Sequence, residues 1–418
     1  MVAHRFHYGW LVAVVLFLSF MLSVGIVQYS FGVFVTELEA EFGWSRTQVN
    51  GALSLFAVTG LLAPVVGMAL DRYGSKRVMA VSMAFLAISQ LLRPGVTELW
   101  QFYALSFVQY AAFPGAIMLP SGKLIGIWFA QSRGRAMGLT AMGANFGGFI
   151  FAWLTDVLVG AVDWRTTYFI YGILFAVMVV PILMVIRDAP PARPKRDGDD
   201  SNDAPAPAEQ PGLSASQAMR SRAFLLIVIG LFLATFTYQS VLTQIVPHLE
   251  NIGIDRARAA IALSFISLAG MAGKVFFGWL TEVFPVRYAF GASLACQITG
   301  LVILVSVGTS SPLLWIFVPI FGLGFGGLGS LMPLLVQDTF GLKAFGSIFG
   351  MVNFFILGAA LVGPPLVGLS FDSWGTYSPA FMTLCGIFVV GGLVVAFARP
   401  ANWQTKPPAP ERVAEATS

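Results

Sequence analysis

Lys274 stands in the run SLAGMAGKVFFGWL, Ser267–Leu280, with no acidic residue within seven positions on either side. An ammonium without a counter-charge on its own helix is a ready partner for a carboxylate. A bound anion would offset the cost of the buried charge through a charge-assisted hydrogen bond. Lys123, in MLPSGKLIGIW, is a second cation inside an apolar run. It can either reach the nearby membrane edge with its long stem or add positive potential at an inner mouth that draws anions. Asp156 and His248 are the candidates for proton coupling, since a histidine changes charge near neutral pH and a buried aspartate is raised toward it; otherwise they are polar residues at helix ends. Gln28, Tyr29, Tyr110, Asn145 and Asn353 can donate to a substrate oxygen or bond a neighbouring helix. No His/Cys set at metal spacing, nucleophile elbow or phosphate loop accompanies them, so neither an enzyme nor a cofactor or metal is expected. Cys296 and Cys385 lie in apolar runs and read as small hydrophobes.

The elements that must position these groups are set by composition. Hydrophobic residues make up 57% of the chain and charged ones only 11%, against about a quarter charged in soluble domains. The chain is therefore expected to be an all-α integral membrane protein. Twelve apolar stretches, each long enough or nearly long enough to cross a bilayer, fall near 8–35, 46–70, 76–95, 99–128, 136–160, 165–187, 222–247, 257–281, 287–307, 312–337, 344–369 and 377–398. The first exceeds the core of a cleavable leader and reads as a retained span. Lys274 comes eight residues before Glu282, about 12 Å from the end of its helix at 1.5 Å per residue. That depth leaves a snorkelling lysine partly exposed to lipid, and Gly270, Gly273 and Gly278 favour a bundle or cavity face. The Phe317, Phe321 and Phe325 spacing on the tenth stretch reads as packing.

The stretch 188–221, rich in Pro, Ala, Asp and Ser, cannot bury enough apolar surface to fold alone, and it divides a six-helix half, 1–187, from a second, 222–399. A disordered tail is expected over 400–418. The halves repeat: FGWSRTQVNGALSLF from Phe42 matches IGIDRARAAIALSFI from Ile252, and RAMGLTAMGANF from Arg135 matches KAFGSIFGMVNF from Lys343. Of the 24 Lys and Arg, 17 fall on the side that holds both termini and 188–221, and five (Arg46, Arg93, Arg165, Arg256 and Arg258) on the other, so both termini are expected to be cytoplasmic.

After the second stretch, GMALDRYGSKR places Gly67, Asp71, Arg72, Gly74, Lys76 and Arg77 at the spacing of a loop motif of the major facilitator superfamily, which the chain resembles. The resemblance implies the major facilitator fold, two pseudo-symmetric six-helix halves, and a conformational latch at this loop rather than a substrate contact. Gly278 and Glu282 retain a fragment of the motif in the second half, whose latching role is open. YGWLVAV at Tyr8, YSFGVFVTELEAEFGWSR at Tyr29, WFAQSRGRAMGLTAMG at Trp128 and VPHLENIGIDRARAA at Val246 are similar to segments of the monocarboxylate porter branch and its bacterial oxalate/formate-exchanger relatives. In that branch a cation at the position of Lys274 holds the substrate carboxylate; an Asp found four residues earlier in some porters is Gly270 here.

The resemblance thus implies alternating-access transport of a small carboxylate, of the lactate or pyruvate class, in the bacterial cytoplasmic membrane. Proton symport is preferred over carboxylate exchange, with a non-transporting carboxylate sensor as a further alternative. The expected partners are the anion, protons and the bilayer, with no nucleic acid and a monomer as the transport unit.

Overall fold

In a computed structural model the described residues are 8–188, 210–308 and 312–399. The middle of the expected linker, 189–209, and the tail 400–418 lie outside them. Twelve helices are long and apolar enough to cross a membrane: α1 (Tyr8–Phe42), α2 (Arg46–Tyr73), α3 (Ser75–Gly95), α4 (Leu99–Trp128), α5 (Arg133–Ala161), α6 (Trp164–Val185), α7 (Arg222–Asn251), α8 (Ala257–Val283), α9 (Val286–Val305), α10 (Leu313–Phe340), α11 (Phe345–Trp374) and α12 (Ser378–Ala396). The Tyr8 hydroxyl donates to the Val185 carbonyl at 2.7 Å and the Trp128 indole N–H to the Arg187 carbonyl at 3.0 Å. The start of α1 and the ends of α4 and α6 therefore share one face, here termed proximal; the other is distal.

The irregular points of the helices lie where the two halves meet. α1 runs seven residues beyond the expected boundary at 35, because a π-helical turn at Gly25–Tyr29 lets it bend and continue. The Ser30 hydroxyl stands 3.2 Å from the Gly25 carbonyl and 3.3 Å from that of Phe151 on α5, tying the turn to its neighbour. α4 breaks at Ile117, just after Pro114, into Leu99–Ala116 and Met118–Trp128. α2 opens on a capping box, Ser45 with Gln48, and α8 on Asp255, which accepts from the amides of Ala257 and Arg258. These two caps occupy matching places in the repeated sequences.

Both described ends of the expected linker pack on the folded body. Asp188 accepts from the Ser75 amide at 2.5 Å and caps α3. Gly212 forms an antiparallel bridge with Gly341, and a short helix, Ala215–Met219, begins at a Ser214/Gln217 capping box. Backbone pairing and capping hold these ends, together with burial of Ala218 and packing of Leu213 against the core.

Candidate functional site

A cavity of about 280 Å³ lies between the halves at mid-helix depth. Its polar lining is neutral: Gln28 on α1, Thr59 on α2, Thr235, Tyr238 and Gln239 on α7, and Asn353 on α11. Asn353 spends its amide N–H on the Phe349 carbonyl at 2.8 Å, leaving its oxygen toward the cavity side. A second crevice, of about 490 Å³, separates α5 from α8 and is lined by Tyr29, Asn145, Ser264 and Ser267 among larger apolar groups. Tyr29 is 43% exposed there, carried outward by the π-turn.

Lys274 sits beneath this crevice, half-buried where α8 meets α5 and α10. Its ammonium crosses to α5 and donates to the Ala141 carbonyl at 3.0 Å and to the side-chain oxygen of Asn145. The Asn145 amide N–H then returns to α8, donating to the Ser267 carbonyl at 2.9 Å. Gly329 on α10 faces the stem: a Cβ there would stand 3.1 Å from the lysine Cε. Both recorded partners of the amine are neutral oxygens, and one is a side chain able to turn away. Lys274 thus closes a clasp between the halves, and its amine does not run to the membrane edge.

The proximal face carries the second polar cluster. Asp71, at the end of α2, accepts from the Gly346 and Ser347 amides at 3.0 and 2.7 Å and from the Ser347 hydroxyl at 2.8 Å, all at the start of α11. These amides belong to a helix N-terminus, where a carboxylate is favoured. Gly67 allows the approach, since a Cβ there would meet the Gly346 carbonyl oxygen at 2.0 Å. Gly74 turns the chain with φ of +85°, and a side chain in its place would strike Asp188. Arg72 lies over the Tyr73 ring, and both Arg72 and Arg77 are exposed. Lys76 donates its backbone N–H to Asp188 at 3.4 Å.

Lys123 is placed differently from either reading of the sequence. Buried at 9% exposure, it donates to Asp71 at 3.1 Å and to the Leu70 carbonyl at 3.2 Å, so its charge is neutralised within the cluster instead of reaching headgroups or an inner mouth. The fragment in the second half also has a partner. Glu282 at the end of α8 accepts from the Arg135 amide at 3.0 Å and pairs with the Arg135 guanidinium at 2.7 Å, where Gly134 and Gly278 bring α5 and α8 together.

Other candidates stand apart. Tyr110 is 2% exposed and packs edge-on against Phe56, so it does not line the cavity. His248 is buried against the rings of Tyr377 and Phe381, and Asp156 is exposed on distal α5; neither lines the central cavity. Phe317 and Phe321 are buried against one another, while Phe325 packs on Tyr238. Arg93 lies at the distal end of α3, buried between the Phe102 and Tyr168 rings, and donates to Ser106 and Gln109. Pro94 and Gly95 after it signal a loop, and no local feature of the sequence points to that enclosure.

The family model described as Major Facilitator Superfamily matches residues 10–359 and 245–417. Monocarboxylate transporter 13 of Rattus norvegicus is 25% identical over 395 residues, spanning 94% of this chain and 89% of that protein. Its Bos taurus counterpart is 26% identical over 397 residues, with the same coverage of each chain. Among solved structures, the E. coli fucose:proton symporter FucP superposes with a TM-score of 0.72 at 16% identity, over 94% of this chain and all of that one. The human organic anion transporter MFSD10 does so with a TM-score of 0.68 at 14% identity, over 93% and 99%.

Proposed function

Because the chain belongs to the major facilitator superfamily of multi-pass membrane transporters, we propose that it carries a small monocarboxylate by alternating access, with Lys274 as the group that takes the carboxylate. The observation that carries this reading is the clasp: a half-buried ammonium whose recorded partners are two neutral oxygens. A carboxylate is a stronger acceptor for an ammonium than an amide oxygen is. On binding it displaces Asn145, and the α5–α8 clasp at that depth is weakened with it, leaving the Arg135–Glu282 tie at the proximal end. Substrate binding and loosening of the halves thereby become one event, as differential affinity for two states requires. Gln28 and Asn353 at the cavity and Tyr29 at the crevice supply neutral contacts for the rest of the molecule. The relatives named as monocarboxylate transporters support the same substrate class.

The halves are 1–187 and 222–399. The cations Arg72, Lys76, Arg77, Arg133, Arg187 and Arg220 on the proximal face support reading that face as cytoplasmic, with both termini on the same side. The closed Asp71 cluster supports a state shut on this side, and the membrane is read as a bacterial cytoplasmic one. One lysine and one monoanion are together neutral, so the loaded carrier crosses without net charge, whereas the empty one must shed a proton or return with another anion. Symport is the preferred cycle. Proteoliposomes with and without internal carboxylate, under an inward proton gradient, test it: uptake into empty vesicles supports symport, and uptake that needs internal anion and ignores pH replaces it with exchange.

Lys274→Met tests the site itself. It is expected to fold, and to lose both uptake and the rise in melting temperature caused by carboxylates, while Lys274→Arg keeps part of both. Unchanged uptake by the Met variant overturns the assignment. Carboxylate-induced stabilisation with no uptake under any gradient would support the sensor reading instead.

A further inference from the structure

A third depression lies apart from the central cavity and the α5–α8 crevice. It is a groove of about 550 Å³ on the membrane-facing side of the first half, formed by α2, α3 and α4. Its floor is made of small residues, Ala69, Ala111 and Ala112, and the helices close beneath it at Gly115, where a Cβ would stand 2.3 Å from the Ser82 hydroxyl. Its walls are large and exposed: Val65 at 57%, Val81 at 56%, Phe85 and Phe107 at 48%. The groove runs along the helices and ends at the proximal face against Tyr73 and Arg77.

That end is cationic. Arg77 is exposed in the first turn of α3 and has no ion-pair partner among the described residues. The acid beside it, Asp188, already spends one oxygen on the Ser75 amide and the other on that of Lys76. Arg72 and Lys76 are neighbours of Tyr73 and Arg77 in the chain but lie outside the groove lining. An apolar trough with a guanidinium at its proximal end that has no ion-pair partner among the described residues has the chemistry of one ligand class.

We propose that the groove is a binding site for an anionic phospholipid of the proximal leaflet, with one acyl chain along Ala69, Ala111 and Ala112 and the phosphodiester on Arg77. A guanidinium offers a phosphate two parallel donors, and Arg77 at the groove's end, with Arg72 and Lys76 close in the chain and Asp188 already engaged by backbone amides, favours a lipid of net negative charge over a zwitterion. The bound lipid would span α2 and α3 on both sides of the Gly74 turn and so brace the helix that ends in Asp71.

The test is the melting temperature of the purified full-length protein in detergent with added dioleoyl phosphatidylglycerol. Controls are dioleoyl phosphatidylcholine, which has the same chains, and glycerophosphoglycerol, which is the headgroup alone. Phosphatidylglycerol is expected to raise the melting temperature by several degrees at concentrations where neither control does, and native mass spectrometry is expected to retain one such lipid per protein. Arg77→Gln removes the shift by removing the charge, and Ala111→Phe removes it by filling the floor. Arg220→Gln, a cation of the same face outside the groove, keeps it. An equal shift from phosphatidylcholine, a shift from the free headgroup, or a shift that survives both groove variants overturns the proposal. So does loss of the shift in Arg220→Gln, which would mark a diffuse charge effect.

Discussion

Two acids close the proximal face, and they do so unequally. Asp71 engages two backbone amides, a hydroxyl and an ammonium, all with little exposure: its side chain is 15% exposed and that of Lys123 is 11%. Glu282 has one amide and one guanidinium, and Arg135 is 55% exposed. The geometry is the same in kind, a carboxylate at the end of one half set on the N-terminus of a helix in the other. The difference lies in solvent. Backbone donors cannot turn away and low exposure preserves their strength, whereas a half-exposed guanidinium is screened and gives about 0–1 kcal/mol. The first half therefore supplies most of the closing energy, and the second sets register with little strength.

Asp71→Asn should break the comparison most strongly, because the amide places a donor against the donors of Gly346 or Ser347. Loss of about 2 kcal/mol, within the range for hydrogen bonds to charged groups, moves the closed-to-open ratio of the proximal face roughly 30-fold. Electron–electron distances between spin labels at the proximal ends of α2 and α11 would show a new long component. If substrate affinity collapses while those distances hold, the cluster acts on the site and not on the gate.

Lys123→Met is the intermediate case. It leaves the contacts of Asp71 to α11 in place but removes the cation from a buried carboxylate, so the same distance measurement should show roughly a tenfold shift. Combined with Asp71→Asn it should add little, because both changes remove one interaction. Additive effects would mean that Lys123 acts through another partner.

Glu282→Gln should be smallest, less than about fivefold, because a pair with a half-exposed guanidinium contributes about 0–1 kcal/mol. Raising the salt concentration should reproduce part of its effect in the unaltered protein and have little influence on the Asp71 tie. An effect of Glu282→Gln equal to that of Asp71→Asn would abolish the asymmetry.

The sequence declares some of this arrangement and hides the rest for definite reasons. The twelve spans are legible because crossing a bilayer demands length and apolarity that few other segments reach. The extension of α1 to Phe42 is hidden by Glu37, Glu39 and Glu41, whose charges look like a loop. Gly67 and Asp71 are legible through their fixed spacing, but the pairing of Asp71 with Lys123 joins positions 52 apart, and nothing local records it. Tyr110 illustrates another limit. A helix apolar on every side has no marked polar face, so its rotation cannot be read from its residues, and a tyrosine expected at the cavity lies in the packed interior. Lys274 is conspicuous as a lone cation, while the return bond from Asn145 to Ser267 depends on tertiary contact alone.

The glycine contacts between the halves have a mechanical consequence. Along α2 and α11, Gly67 meets the carbonyl of Gly346, and Gly350 meets that of Ala63; along α5 and α8, Gly134 meets that of Gly278, and Gly138 that of Lys274. These four positions form two rails on which backbone meets backbone through van der Waals and weak Cα–H contacts, with few side chains, such as Leu357 against Gly60, set between the helices. Surfaces of this kind can roll over one another with few rotamers having to change. The rails then act as bearings, and resistance to rocking is concentrated in the few polar catches set beside them: Asp71 with its amides, Glu282 with Arg135, and Lys274 with Asn145. A transporter built this way has its timing set by individual bonds, each of which a single substitution can lengthen or release, while the path of the motion stays fixed by the rails.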